Sequence, residues 1–395
     1  MSRENTIQLE ETNMNKPGVN SLLKSINLRS LIIVFALIAI WISLQIATDG
    51  TFLTSRNISL LFRQMTPIGI ISIGMVLVIV AGHIDLSVGS IVAVSGAIAA
   101  VMQTQMQMGT IPTIIALLLT GLIVGVINGY FSTFQKIPPF IVTLATMLVF
   151  RGVTLLITGG STISGMNPSF KYIGDGYVSQ LWSTIIAAIG ILFYLIFEIT
   201  KRRSKTSKGM NVTSTNWFAL KLIAVCAICV LLVSTMNNYE GIPIPVIIMA
   251  AIVIVVTFIS KNTRFGRRLY AIGGNSEAAR LSGINVNKEG LKVFALLGIL
   301  SAISGLILTA RLDAATPAAG NQFEFDAISA AIIGGASFSG GQGTVFGAVI
   351  GALIMASLNN GMSILNIPSA AQFILKGLVL LIAVWFDMRG KIKGK

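Results

Sequence analysis

Four stretches of this chain, Leu31–Ala47, Ile68–Ala81, Ile111–Ile127 and Val246–Ser260, run for at least fourteen residues without a single charge. Runs of that length and greasiness suit the hydrocarbon of a bilayer better than the core of a soluble domain. Composition agrees. Only 11% of the 395 residues are charged and 54% are hydrophobic, whereas a soluble domain carries about 25% charged residues. With a mean hydropathy of +0.84, there is too little charge to coat a water-facing surface, and disorder is excluded by the same figures. The pattern predicts an all-α, polytopic transmembrane helical bundle.

Twelve candidate crossings can be marked, at 31–47, 66–81, 86–102, 113–131, 139–158, 181–200, 217–234, 243–260, 291–310, 326–338, 344–360 and 368–387. The tenth is short and glycine-rich and reads as a half-helix or re-entrant segment, which leaves 10–12 membrane segments. Such backbone is tolerated at depth only inside protein or beside a wet cavity. Spans of roughly 20 residues consume about 240 positions and leave no room for a separate catalytic or ATPase domain. With an inner N-terminus, the segments on that side hold 20 Lys and Arg and the outer segments hold 4. That bias places both termini in the cytoplasm. The organisation expected is a cytoplasmic tail at 1–30, a membrane domain at 31–388 and a basic tail at 389–395. A basic loop at 201–216 and a polar loop at 261–290 are expected on the cytoplasmic side. The tail at 1–30 has charges and no apolar core, so it does not read as a cleaved signal peptide, and 31–47 reads as a retained span.

The net charge of +14 does not point to nucleic acid, because the basic residues lie between apolar runs, where they set orientation. Cys226 and Cys229 form a C-x-x-C inside an apolar run, with the single histidine, His83, far away. A zinc site needs four ligands, so no metal and no cofactor is expected. No phosphate-binding loop occurs: Gly340–Gly347 lacks the lysine and the preceding strand. No catalytic constellation assembles around His83. Gly121, Gly125 and Gly129, and again Gly343, Gly347 and Gly351, recur every four residues and mark close helix packing. The strings Ile84–Ile98 and Phe325–Gly341 both set an acid before a run of small residues, a hint of two related halves.

The polar loop is the informative segment. Asn275 or Ser276 can cap a helix, Glu277 sits in its first turn where the dipole favours an acid, and Gly283 supplies a left-handed stop. Two turns of helix are not stable alone, so this one must dock. The residues leave two readings open, docking on the chain's own spans or insertion into a cytoplasmic partner.

Glu277, Ala278, Ala279 and Gly283 spell E-A-A-x-x-x-G, which resembles the motif by which permease subunits of ABC importers contact their ATPases. The surrounding string Phe265–Val286, the string Ile84–Ser90 and the string Phe325–Gly341 are similar to ribose-type monosaccharide permeases, and the likeness runs from about 30 to 388. The extra pair of spans near 181–234, with Asn359–Pro368 and Val384–Lys391, resembles the longer xylose type within that family. The resemblance implies a bacterial inner-membrane subunit that is not itself an enzyme and passes a pentose, D-xylose above all. Its implied partners are an ATP-binding cassette subunit, an extracytoplasmic sugar-binding protein and a second copy of itself, in a lipid bilayer. It implies ATPase coupling at Arg264, Gly266, Arg267, Arg268, Asn275, Glu277, Ala278, Ala279, Arg280 and Gly283.

The translocation pathway is harder to read. Neutral, hydroxyl-rich cargo calls for amides and carboxylates, and Asp85, Asn128, Asn359, Asn360 and Gln372 are the candidates. Asp85, at a span boundary beside Ser87, suits capping the third span better than gating. Arg151 within the fifth span should be paired or face a wet cavity. Glu198 should pair with the basic run after it.

Overall fold

The computed structural model describes residues 28–392 except 211 and 213. The tail expected at 1–30 thus falls outside the described residues up to position 27, as does the end of the C-terminal tail from 393. Helix α1 covers Leu28–Ala47, α2 Ser55–Val80, α3 Val88–Ala100, α4 Thr110–Thr133 and α5 Pro139–Thr158. After the short α6 (Pro168–Asp175) come α7 (Gln180–Ser207), α8 (Thr215–Asn237) and α9 (Ile244–Asn262). Two small helices, α10 (Arg264–Gly274) and α11 (Ser276–Leu281), precede α12 (Val286–Leu312), α13 (Phe323–Ile333), α14 (Val345–Ile364) and α15 (Ser369–Ile392). Ten of the described helices are long and apolar enough to cross a membrane. The chain is a polytopic all-α membrane protein.

Burial sorts these helices. The α2 span is 89% buried, packed by α12, α14, α13 and α9, whereas nothing in the apolar stretches of α8 and α15 is buried. The core therefore lies where α2, α3, α12, α13 and α14 meet. Both glycine rows are packing seams. Gly121, Gly125 and Gly129 set α4 against the backbone of α12 at Gly298, Phe294 and Leu291. Gly347 and Gly351 set α14 against Gly334 and Ala330 of α13. A Cβ at any of these would strike the neighbour.

Segments that the charge rule assigns to one side meet at one end of the bundle. On the basic side Gly341 N–H donates to Val80 O at 2.9 Å, Gly273 lies against Val80 O and His83 packs on Phe294. On the other side Arg63 pairs with Asp175, and Lys171 pairs with Asp313 at 3.3 Å. There too β1 (Ile163–Ser164) pairs antiparallel with β4 (Ala314–Ala315), and β2 (Tyr177–Val178) with β3 (Ile242–Pro243).

Several boundaries differ from the sequence expectation. The second span starts at Ser55 rather than 66, because Thr54 caps it and a helix carries Arg56, Arg63 and Gln64 as readily as leucine. The loop expected at 201–216 is mostly helix: α7 continues to Ser207, its lysines and arginines being good helix formers that suit a C-terminus. Glu198 pairs across to Lys221 on α8 at 2.9 Å and not with the basic run behind it. The tenth crossing is a half-helix. The 11 residues of α13 rise about 16 Å, half of a hydrocarbon core of about 30 Å. Arg151 holds the stretch just before α13 by donating to Pro317 O at 3.1 Å and Ala319 O at 2.7 Å.

Helix α3 is built the same way. Residues 83–87 are irregular, and the helix begins only at Val88, with Gly89 against the carbonyl of Gly320 and the Glu324 carboxylate just inside α13. The two strings matched in the sequence are thus the two helix starts, and they meet inside the bundle. Asp85 precedes one and Glu324 and Asp326 open the other, so acids lie at both positive helix ends.

Candidate functional site

The polar loop forms a small docked platform. Thr263 caps α10 by accepting from Gly266 N, and Gly266 sits so close to Ser260 O that no side chain fits. Leu269 and Ile272 of α10 are buried, anchoring it to the bundle. Asn275 then caps α11, its Oδ1 accepting from Ala278 N–H at 2.9 Å. Gly283, at φ +81°, ends that helix, as its left-handed geometry requires.

Helix α11 docks on the chain's own spans by one face and leaves the other uncovered. Ala279 is buried against the chain itself, while Glu277, Ala278, Arg280 and Leu281 face out, Leu281 at 76% exposure. Glu277 and Arg280 pair with each other, with Arg280 Nε donating at 3.1 Å. That hydrogen bond and charge hold the Glu277 carboxyl below its usual range and raise the Arg280 guanidinium. Arg264 and Arg267 are exposed on α10. Arg268 is committed inward: it donates to Glu289 Oε1 at 2.7 Å, and Lys292 takes the other carboxylate oxygen at 3.2 Å. Glu289 is 2% exposed and sits in the first turn of α12. It was not singled out in the sequence, although an acid opening a span after a basic loop is a visible signal.

The platform reaches the half-helices through the loop 334–344. Tyr270 Oη donates to Gly343 O at 2.8 Å, and burial pushes its phenol up. Gly273 packs against Gly341 N. From the far side, Asp387 on α15 accepts from Phe338 N–H at 3.0 Å. Helix α10 is thus in direct contact with the loop that joins α13 to α14.

The pathway candidates fall into three places. Asp85 Oδ1 accepts from Ser87 N–H at 2.7 Å and Ser87 Oγ at 2.6 Å, and Asn128 Nδ2 donates to Ser87 Oγ at 2.8 Å. Both residues are fully enclosed, so this group holds the start of α3. Asn360 and Asn57 exchange reciprocal amide bonds at 3.0 and 3.1 Å, a lock between α14 and α2. Only Asn359 and Gln372 stand part-exposed near a third group, the Asp326–Lys376 ion pair at 3.0 Å between α13 and α15. Asp326 is 1% exposed with Oδ1 unpartnered, and the buried Oε2 of Glu324 is unpartnered too. Sequence reading missed Asp326 and Lys376 as a pair. Cys226 and Cys229 are free thiols, and no cluster of metal-ligating side chains occurs among the described residues.

Residues 57–384 match the family described as branched-chain amino acid transport system / permease component. The chain belongs to this family of transport permeases. It is 45% identical over 371 residues to the xylose transport system permease protein XylH of Haemophilus influenzae, covering 94% of this chain and 99% of that one. It is 41% identical to XylH of Escherichia coli, over 99% of each chain. The ribose import permease protein RbsC of Bacillus subtilis is 36% identical over 86% of this chain and 87% of its own. No solved structure matches the chain. These full-length likenesses make it a homologue of the sugar-importing permeases of the bacterial inner membrane.

Proposed function

We propose that this permease passes a pentose, D-xylose, into the cytoplasm, driven by an ATP-binding cassette subunit and supplied by an extracytoplasmic sugar-binding protein. The single observation behind the sugar is the ranking of relatives: the xylose permeases match almost end to end at 41–45% identity, the ribose permeases at 34–37% over less of the chain. Another monosaccharide, ribose first, is the alternative. Two copies form the pore, with the bare faces of outer spans such as α15 available to meet a second copy or lipid.

The platform α10–α11 is the lever. Arg264, Arg267, Glu277, Ala278, Arg280 and Leu281 present the outer surface, and Gly266, Arg268, Asn275, Ala279 and Gly283 shape and hold it. A partner that grips this surface differently with and without nucleotide biases the bundle between two states, and Tyr270 and Gly273 carry the motion to the loop 334–344 and so to α13. Asp326, Lys376, Asn359 and Gln372 are the polar groups that a hydroxyl-rich cargo meets; Asp85, Asn128 and Asn360 support them structurally. A proton-coupled carrier is the rival. It needs several ionisable groups at mid-membrane, and the ones present are largely bound into bracing contacts.

Uptake into proteoliposomes tests the reading. With the ATPase and binding protein present, labelled xylose should accumulate on ATP addition, and excess unlabelled xylose should compete better than ribose, arabinose or galactose. Deleting Glu277–Gly283 should leave ATP hydrolysis running without uptake. Accumulation by the chain alone on a pH or salt gradient would refute it.

A further inference from the structure

Helix α7 is longer than the membrane. Its 28 residues extend about 42 Å against a hydrocarbon core of about 30 Å. Its C-terminal end carries Lys201, Arg202, Arg203 and Lys205, and the charge rule puts that end, with the surplus length, on the cytoplasmic side. A cleft of about 240 Å³ opens there between the end of α7 and the start of α8, lined by Lys201, Arg202, Lys205 and Lys221 with Trp217 and Phe218. Arg202 lies 4.4 Å from the Phe218 ring centre and donates to Thr215 Oγ1 at 3.0 Å, which fixes its guanidinium at the cleft wall. The one acid in the lining, Glu198, is taken by Lys221. Lys201, Arg202 and Lys205 are left with no acidic partner in the cleft.

Below the cleft the surface changes character at once. Phe193, Ile196 and Phe197 on α7 and Leu220 and Ile223 on α8 are all more than half exposed, and the main contacts of α7 are with α8 alone. We infer that this cleft is a binding site for one anionic phospholipid, the phosphate diester seated among Lys201, Arg202 and Lys205 and an acyl chain lying along the bare flank of α7 and α8. Charge complementarity and apolar complementarity meet in one ligand: basic side chains at this leaflet attract anionic headgroups, and long cationic side chains reach up to them from a buried stem. A soluble partner would satisfy the cations and leave the flank uncovered. The coupling platform packs against α2, α9 and α12 rather than this hairpin, so the site stands apart from the lever and does not depend on the sugar assignment.

Trp217 in the lining is the reporter. The full chain in neutral phosphatidylcholine nanodiscs should show saturable fluorescence quenching by brominated phosphatidylglycerol, and that component should vanish in Trp217→Phe. Lys201→Gln/Arg202→Gln/Lys205→Gln should weaken it at least tenfold. Lys201→Arg/Arg202→Lys/Lys205→Arg should retain it, which separates lost charge from lost folding. Lys261→Gln/Arg264→Gln/Arg267→Gln, with the same charge removed elsewhere, should also retain it. The inference is overturned if brominated phosphatidylcholine quenches equally, or if the glutamine variant at the cleft binds as the parent does. Equal weakening by the two glutamine variants overturns it as well, because net charge would then suffice. Displacement by millimolar inorganic phosphate assigns the cleft to the free anion, and displacement by the ATPase subunit assigns it to a protein; either result also overturns it.

Discussion

Asn275→Ala isolates the lever from the rest of the bundle. The Asn275 side chain supplies the cap of α11 through its bond to Ala278 N–H, and α11 has only 6 residues, too few to stand without it. Losing such a cap costs about 1 kcal/mol, and Asn275 is exposed, so no buried group is orphaned and the global fold is untouched. At RT of about 0.59 kcal/mol, 1 kcal/mol is roughly a fivefold loss in the ratio of formed to frayed helix. Hydrogen exchange read by mass spectrometry should therefore quicken about fivefold for amides in 276–283 and stay unchanged in α2 and α12. Coupled uptake should fall while ATP hydrolysis persists, and Asn275→Asp, which keeps the acceptor, should restore both. Exchange in 276–283 that stays at the parent rate would refute the argument, because the cap would then not hold the helix. Quickened exchange with intact uptake would separate the helix from coupling and leave the capping analysis standing.

Other contacts give sharper single numbers. Tyr270→Phe removes the donor to Gly343 O and should cost about 1 kcal/mol, read as faster exchange in 334–344. Its phenol is a neutral donor whose folded pKa is raised, so the contact is fully present below the ordinary phenol range and is lost only as pH rises above it; the parent's exchange protection there should be pH-independent between 6 and 9 after correction for intrinsic rates. Asn57→Ala should cost about 1–3 kcal/mol by leaving the Asn360 amide unsatisfied, and Asn57→Leu/Asn360→Leu should cost less than the sum of the single changes, measured as apparent Tm in detergent. Gly125→Leu should prevent α4 from seating on α12 and reduce the yield of monodisperse protein, while Gly190→Leu, in open space on α7, should leave it unchanged. Glu289→Gln should loosen α10 from α12, seen as increased proteolysis between Lys261 and Lys288.

Hydropathy made the spans legible because lipid contact demands uninterrupted apolar faces, and positive charge made their direction legible. It failed where protein, not lipid, surrounds the helix. The first eleven residues of α2 carry Arg56, Asn57, Arg63 and Gln64, and it takes Asp175 to pair with Arg63 and Asn360 to bond Asn57, so no window average reveals them. Helix α11 was readable to within a residue because its cap, its first-turn acid and its stop are local chemistry. The Arg268–Glu289 and Asp326–Lys376 pairs were not, since each joins residues whose approach depends on how distant helices pack. The pathway list fared in between: amide side chains in a membrane are conspicuous, but whether an asparagine faces cargo or ties two helices, as Asn360 does with Asn57, is decided by a partner elsewhere in the chain.

The small ladder between β2 and β3 has a consequence for the hairpin that begins and ends at it. Val178 and Ile242 are register partners, so the chain leaves for a 63-residue excursion, 179–241, and returns to a neighbouring strand, about 5 Å from where it departed. The excursion is a graft whose two cut ends already adjoin. Excising it and bridging the ends with a short turn should leave the remaining spans in place, and transplanting it between the same two positions of a shorter relative should need no other redesign.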